Sequence, residues 1–256
     1  MKDGQKVLSL SGTELRRLLA EGDPVPEWFS YPEVADVLPN AYPAREQQGF
    51  TVFFTGLPSS GKSTVANVLL SRLMELSSRP VTLLDGDVVR KHLSSELGFS
   101  KEHRDFNIRR MGFVAGEITK HRGIAVCAPI APYAATRREV REMVAAYGDF
   151  IEVYVSTPIE VCEQRDRKGL YAQARAGIIT GFTGVDDPYE PPQDAQVVID
   201  TTDVASSEAA EQVLTFLSAA GYRTSRRPPR RLAGIGATCV LQSGTPARQP
   251  GCWDGG

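Results

Sequence analysis

Cysteine is scarce and scattered in this chain of 256 residues. The four cysteines are Cys127, Cys162, Cys239 and Cys252, and none forms a C-x-x-C pair. That spacing excludes a zinc knuckle and a dithiol redox motif. Cys127 falls in an apolar strand-like run and Cys162 in a helical one, so both read as buried free thiols. No apolar run is long enough to span a membrane. The opening Met1-Lys2-Asp3-Gly4-Gln5-Lys6 lacks the apolar core of a signal peptide. Neither sign of charge dominates: the formal net charge of −2 leaves no footprint for nucleic acid. The absence of Asn-Lys-x-Asp speaks against a guanine-specific NTPase. There is no Asp-Phe-Gly, and His103-Arg104-Asp105 is not followed by the Asn of a protein-kinase catalytic loop. What remains is 41% hydrophobic residues, enough for a core. The expectation is a reduced, cytoplasmic enzyme with one large α/β domain plus extensions, or two small domains.

Against these absences stands one complete motif. Residues Gly56 to Ser63 read Gly-Leu-Pro-Ser-Ser-Gly-Lys-Ser, a G-x-x-x-x-G-K-[ST] phosphate loop. It follows the apolar run Thr51-Val52-Phe53-Phe54-Thr55. It precedes a helical pattern in which Val65, Val68, Leu69, Leu73 and Leu76 share a face. In that context backbone N–H groups and the helix dipole face an anion. Lys62 is placed to reach β- and γ-phosphates, and the Ser63 hydroxyl to ligate Mg²⁺. This predicts a nucleoside triphosphate site.

Strand-like runs recur at 51–55, 81–84, 124–130, 151–155 and 197–199, with helical patterns near 64–76, 88–96, 106–121, 135–146, 158–165 and 207–219. Near-continuous apolar strands alternating with helices predict an α/β P-loop NTPase fold: a mainly parallel sheet with helices on both faces. Ligands then bind beyond the strand C-termini. Residues 1–48 form a leader, 49–222 this domain, and 223–256 a Gly-, Pro- and Ser-rich tail expected to be disordered. The stretch from Arg165 to Pro192 is too polar for core and too long for a passive turn, so it reads as a mobile lid.

Asp85-Gly86-Asp87 ends the second strand run. A carboxylate there can hold Mg²⁺, directly or through water, or accept a hydroxyl proton. Asp87 also suits a helix N-cap, and both roles are open to it. Arg90, Arg104, Asn107, Arg109 and Arg110 gather near the loop, which points to a second anionic ligand under guanidinium forks. Phe99 and Phe182 sit in polar loops, where they either stack on a base or pack in the core. A small-molecule kinase is the class left standing.

Segment 50–220 resembles adenylylsulfate (APS) kinase. The shared blocks are Gly-Leu-x-x-x-Gly-Lys-Ser-Thr, Leu-Asp-Gly-Asp-x-x-Arg, Leu-Gly-Phe-Ser, Arg-x-x-Asn-x-Arg-Arg, Pro-Tyr, Cys-Glu-Gln-Arg-Asp-x-Lys-Gly-Leu-Tyr and Gly-Phe-Thr-Gly-x-Asp-Asp-Pro-Tyr-Glu. The resemblance implies transfer of the ATP γ-phosphoryl group to the 3′-hydroxyl of adenosine 5′-phosphosulfate, giving 3′-phosphoadenosine 5′-phosphosulfate (PAPS) and ADP in sulfate assimilation. It implies that Gly56 and Ser59, Ser60, Gly61, Lys62, Ser63 and Thr64 cradle ATP with Mg²⁺, with Arg165 on the ATP side. Lys62 and Asp85 would be catalytic, and Ser63 and Asp85 would serve the metal. Asp87, Arg90, Arg104, Asn107 and the backbone at Ile130 and Ala131 would hold APS. Phe99 and Phe182 would sandwich its adenine, and Lys168 and Thr183 would close from the lid. Ala131 stands where many members have Ser, which rules out a phosphoserine there; direct in-line transfer needs none. Pro58-Ser59-Ser60 departs from the commoner Ser-Gly-Ala but keeps the glycine endpoints and the lysine.

The leader, with Ser11-Gly12-Thr13-Glu14-Leu15-Arg16 and Pro26-Glu27-Trp28-Phe29-Ser30-Tyr31-Pro32-Glu33-Val34, resembles the C-terminal end of ATP sulfurylase in fused sulfurylase–kinase proteins. It implies a fragment of such a protein with only the kinase half able to act, since 48 residues cannot hold a sulfurylase body. A homodimer and a sulfurylase partner follow as expectations. Two other readings stay open: a kinase for another small hydroxylated acceptor, and a catalytically weak nucleotide-binding domain regulating a sulfurylase.

Overall fold

The computed structural model describes residues 9–222, so the expected tail lies outside the described residues. In chain order the elements are α1 (Gly12–Glu21), α2 (Pro32–Ala41), a short 3₁₀ turn (Arg45–Gln47), β1 (Phe50–Gly56), α3 (Lys62–Leu76), β2 (Val81–Asp85), α4 (Gly86–Leu93), α5 (Lys101–Lys120), β3 (Ile124–Ala128), α6 (Ala134–Ala145), β4 (Asp149–Val155), α7 (Ile159–Arg165), α8 (Leu170–Arg175), β5 (Val197–Ile199) and α9 (Ser206–Ala219).

The five strands form one parallel sheet in the order β2-β3-β1-β4-β5. Parallel pairing needs a crossover between strands, and the helices supply it, covering both faces. Central strand β1 is buried along its whole length. Alternation sends Phe50, Val52 and Phe54 to the face shared with Val65, Leu69 and Leu73 of α3 and Val213 and Leu217 of α9. Phe53 faces the other way, onto Ile108, Met111 and Ala115 of α5 and Val140 and Val144 of α6. Thr51 also points to that second face, where its hydroxyl meets Thr119 Oγ1 at 2.8 Å.

Strand β3 stops at Ala128, two residues short of the expected 124–130 run. Pro129 has no N–H for the ladder, and Ala131 turns into the left-handed region at φ 46°. The leader is helical. Ser11 Oγ caps α1 by accepting from Glu14 N at 3.1 Å, and Gly22 at φ 75° ends that helix. Past α2, Arg45 donates to Ala220 O at 2.8 Å, ion-pairs with Asp149 at the start of β4, and lies over the Tyr222 ring. The leader therefore anchors at the N-terminal edge of the sheet, opposite the phosphate loop.

Candidate active site

Strand β1 ends at Gly56, where an added Cβ would stand 2.5 Å from Val155 O, and the loop turns over to α3. Ser59 and Gly61 adopt φ of 58° and 96°. A Cβ on Gly61 would approach Thr201 Oγ1 to 3.1 Å, so the loop floor is closed by that threonine. Thr201 Oγ1 donates to Ser60 O at 2.9 Å, and Thr157 Oγ1 to the same carbonyl at 3.2 Å. Arg165, from the end of α7, donates to Thr201 Oγ1 at 2.8 Å and to Thr201 O at 2.5 Å. Residues 157, 165 and 201 thus brace the phosphate loop from behind. Thr157 and Thr201 of this brace have no sequence signature, because they come from separate connections after β4 and β5, whereas Arg165 stands in the Cys-Glu-Gln-Arg-Asp block.

Lys62 folds back over the loop, donating from Nζ to Leu57 O at 2.6 Å and to Ser60 Oγ at 3.3 Å. It is buried, and desolvation pushes its pKa down to about 8. Ser63 and Thr64 remain open to solvent on the first turn of α3. Ser63 Oγ donates to Asp85 Oδ2 at 2.7 Å, across from the end of β2. The N-cap of α4 is Asp85, not Asp87: Asp85 Oδ1 accepts from Asp87 N at 3.0 Å, because the helix starts one residue beyond the strand. Asp87 is freed from capping and ion-pairs with Lys168 of the lid.

On the far side of the loop, Arg104 on α5 is largely buried. It donates to Thr183 Oγ1 at 3.0 Å, to Asp187 Oδ2 at 2.5 Å and to Gly181 O. Tyr133 OH donates to Asp187 Oδ1 at 2.9 Å, and its own pKa is pushed up to about 12 by burial and by that carboxylate. Asp186 accepts from Gly181 N and Phe182 N, both at 2.6 Å, and folds the lid loop on itself. Asn107, one turn after Arg104, is buried with its Oδ1 unpartnered. Arg90 donates to Gly98 O at 2.9 Å and lies 4.5 Å above the ring centroid of Phe99. Burial, and then the neighbouring Arg104, lower the Arg90 pKa. Phe99 itself is exposed, whereas Phe182 packs edge-on against Tyr171 at 5.0 Å.

Two expectations need correction. Arg109 and Arg110 do not join this cluster: Arg109 Nε donates to Glu139 at 2.5 Å and Arg110 Nη1 to Leu93 O at 2.7 Å, with Glu96 alongside. A helix turns 100° per residue, so Arg109 falls about 200° from the inward Asn107, and Arg110, about 120° from Arg104, is turned to the α4 side, where Leu93 O and Glu96 take it. The stretch 165–192 is not uniformly outside the core either. It contains α8, and Tyr171 and Thr183 are buried. The backbone at Ile130 is tied to the end of β1: Ile130 O accepts from Thr55 Oγ1 at 2.7 Å and from Gly56 N at 3.3 Å. Asp187 and Tyr133 were missed as site residues, although both stand inside quoted motifs. A cleft of about 620 Å³ between Leu57, Thr157, Ile159 and Val185 touches none of Lys62, Asp85, Arg104 or Asn107 and belongs to the other flank of the lid.

No helix among the described residues is long and apolar enough to cross a membrane. Among those residues no cluster of three or more His, Cys, Asp or Glu forms a metal cage. The hydroxyl–carboxylate pair of Ser63 and Asp85 nonetheless suits a hard cation that takes few protein oxygens and fills its shell with phosphate and water.

The family description Adenylylsulphate kinase matches residues 48–200, and ATP-sulfurylase matches residues 1–41. A sulfate adenylyltransferase of Phaeosphaeria nodorum is 52% identical over 219 residues, covering 86% of this chain and 38% of that protein. The Aspergillus oryzae sulfate adenylyltransferase is 49% identical with the same coverage. The chain thus spans under two fifths of the length of these curated relatives. Among solved structures, the hexameric APS kinase from Thiobacillus denitrificans superposes with a TM-score of 0.70 at 50% identity, covering 88% of this chain and 40% of that one. The Mycobacterium tuberculosis APS kinase CysC, solved with AMPPNP and APS, gives 0.64 at 41% identity over 67% of this chain and 98% of that one.

Proposed function

The chain belongs to the adenylylsulphate kinase family, and on that premise we propose that it transfers the γ-phosphoryl group of ATP to the 3′-hydroxyl of adenosine 5′-phosphosulfate, giving PAPS and ADP. The observation that carries this reading is the pairing of a braced phosphate loop with a facing set of Arg104 and a buried, unpartnered Asn107 Oδ1. A buried acceptor without a partner is costly unless a ligand donor meets it. Arg104, now spent on Asp187, holds a fork that suits phosphate or sulfate oxygens equally well.

In this reading the loop residues Gly56 and Ser59 to Thr64 hold the triphosphate, with Arg165 steadying their floor. Lys62 leaves the Leu57 carbonyl for the transferring phosphoryl group and stabilises the charge that develops there. Ser63 and Asp85 would hold Mg²⁺, Asp85 through water, and the ion would neutralise charge on the phosphates. Arg90, Arg104, Asn107 and the 130–131 backbone orient the acceptor so that its hydroxyl lies in line, and Asp85 is the carboxylate that takes the hydroxyl proton as the phosphoryl group arrives. Phe99 and Phe182 close on its base, and Asp87–Lys168 with Thr183 draw the lid over, excluding water. Transfer is direct, since Ala131 offers no hydroxyl. We assign residues 49–222 to this kinase domain and 1–48 to a sulfurylase-like segment, with a homodimer and an ATP sulfurylase as partners.

The test is ADP release from Mg·ATP with and without APS, with the product identified by mass. ADP that appears only with APS, together with a 3′-phosphorylated product, is the expected result. Tight ATP binding with no APS-dependent ADP overturns the reading in favour of a regulatory nucleotide-binding domain.

A further inference from the structure

One buried cation beside this site has no part in the chemistry above. Arg137, on the first turn of α6, is 3% exposed. Its Nη1 donates to Ala131 O at 2.8 Å and its Nη2 to Glu190 O at 2.6 Å. Its Nε lies 2.9 Å from Oε1 of Glu152, a β4 carboxylate that is 2% exposed and also receives Arg141 Nη2 at 2.6 Å. A buried ion pair adds little net stability over apolar packing of the same volume. What it supplies is direction, because a planar guanidinium fixes two carbonyls at once.

The carbonyls it fixes are informative. Ala131 sits at φ 46°, a conformation that costs a residue with a Cβ about 1–2 kcal/mol, so the turn must be held from outside. Arg137 and Thr55 Oγ1, at 3.2 Å, both hold its carbonyl. Glu190 closes the C-terminal stem of the lid. Its N donates to Pro132 O at 2.9 Å, its Oε2 accepts from Ala134 N at 2.7 Å, and its O takes the Arg137 bond. All three of its polar groups are stitched to residues 132–137.

We infer that Arg137 is a positioning residue for the acceptor side of the site: with Glu190 it locks the 130–131 turn to the lid stem, so the backbone facing the acceptor and the lid covering it share one geometry. The inference rests on the kinase reading for the identity of the acceptor, but the joint itself does not.

The test uses the full chain with Arg137→Lys, which keeps the charge opposite Glu152 but loses the fork, and Glu190→Ala, which lies on the exposed stem away from the core. Each variant raises KM for APS about tenfold, as loss of a hydrogen bond to a charged group implies. KM for Mg·ATP and kcat stay within about twofold, and the double variant raises KM for APS by less than the product of the two single effects, because Arg137→Lys loses the fork on the Ala131 and Glu190 carbonyls and Glu190→Ala loses the Ala134 bond of the same joint. In the nucleotide-free protein, Glu190→Ala speeds amide exchange in residues 131–136 and 181–191 together. Equal rises in both KM values, or a loss of active fraction with KM unchanged, would reduce Arg137 to a folding role. Exchange that quickens in the lid alone would show that no joint exists. If the wild type makes no APS-dependent ADP, the kinase reading fails and the exchange arm alone decides the joint.

Discussion

Lys62 offers the sharpest perturbation, because its protonation can be set by the buffer. In the nucleotide-free protein its ammonium is buried with one strong acceptor, Leu57 O at 2.6 Å, and desolvation holds its pKa at about 8. Against the model-peptide value of 10.5 this corresponds to roughly 3 kcal/mol of lost solvation. Only the charged form attracts phosphate. Below pH 7 the site is fully charged; at pH 8 about half is; at pH 9 about one tenth is. The kcat/KM for Mg·ATP, which reports the free protein, therefore falls about tenfold between pH 7 and pH 9. Bound phosphates offset the desolvation and restore the ammonium, so kcat stays flat over the same window. Calorimetry at pH 8 in two buffers of different ionisation enthalpy should find uptake of about half a proton on ATP binding. Lys62→Arg, whose guanidinium stays charged, should abolish the alkaline fall in ATP binding. A flat kcat/KM up to pH 9.5, or proton release on binding, refutes the assignment of this lysine to the phosphates.

Two further substitutions probe the site from opposite sides. Phe182→Ala removes the lid ring that now packs on Tyr171; it should weaken APS binding by about 1–3 kcal/mol while leaving ATP binding within twofold, as measured by titration of each nucleotide. Equal losses for both nucleotides would mean that Phe182 does not meet the acceptor base. Gly61→Ala forces a side chain onto φ 96° and against Thr201, so it should cost about 1–3 kcal/mol of stability in urea unfolding and reduce ATP affinity. Unchanged unfolding midpoint and affinity would show that the loop tolerates a Cβ there.

Much of the fold could be read from the chain. Apolar runs bounded by helical periodicity located all five strands and most helices of 49–222, because a sheet covered on both faces leaves no room for alternation. The leader helices and α8 were not legible. Both α1 and α2 are short and mostly exposed, and α8 has six residues inside a polar stretch, too few for a period to emerge. Arg104 and Arg110 look alike in sequence; only the helix phase sends the first to the lid and the second to Glu96.

The sequence by itself determined the phosphate loop, the β–α alternation and the motif residues on either side of the cleft, because each of these rests on neighbours within a few positions of one another. Only the tertiary structure decided which groups are already engaged. It joined Ser63 to Asp85, Arg104 to Asp187, Thr201 to Ser60 and Arg137 to both Ala131 and Glu190. These pairs span from 6 to 141 positions in the chain. Hydrogen bonds are direction- and distance-dependent at the scale of tenths of an ångström, and no local pattern carries that information until the sheet has brought the connections together.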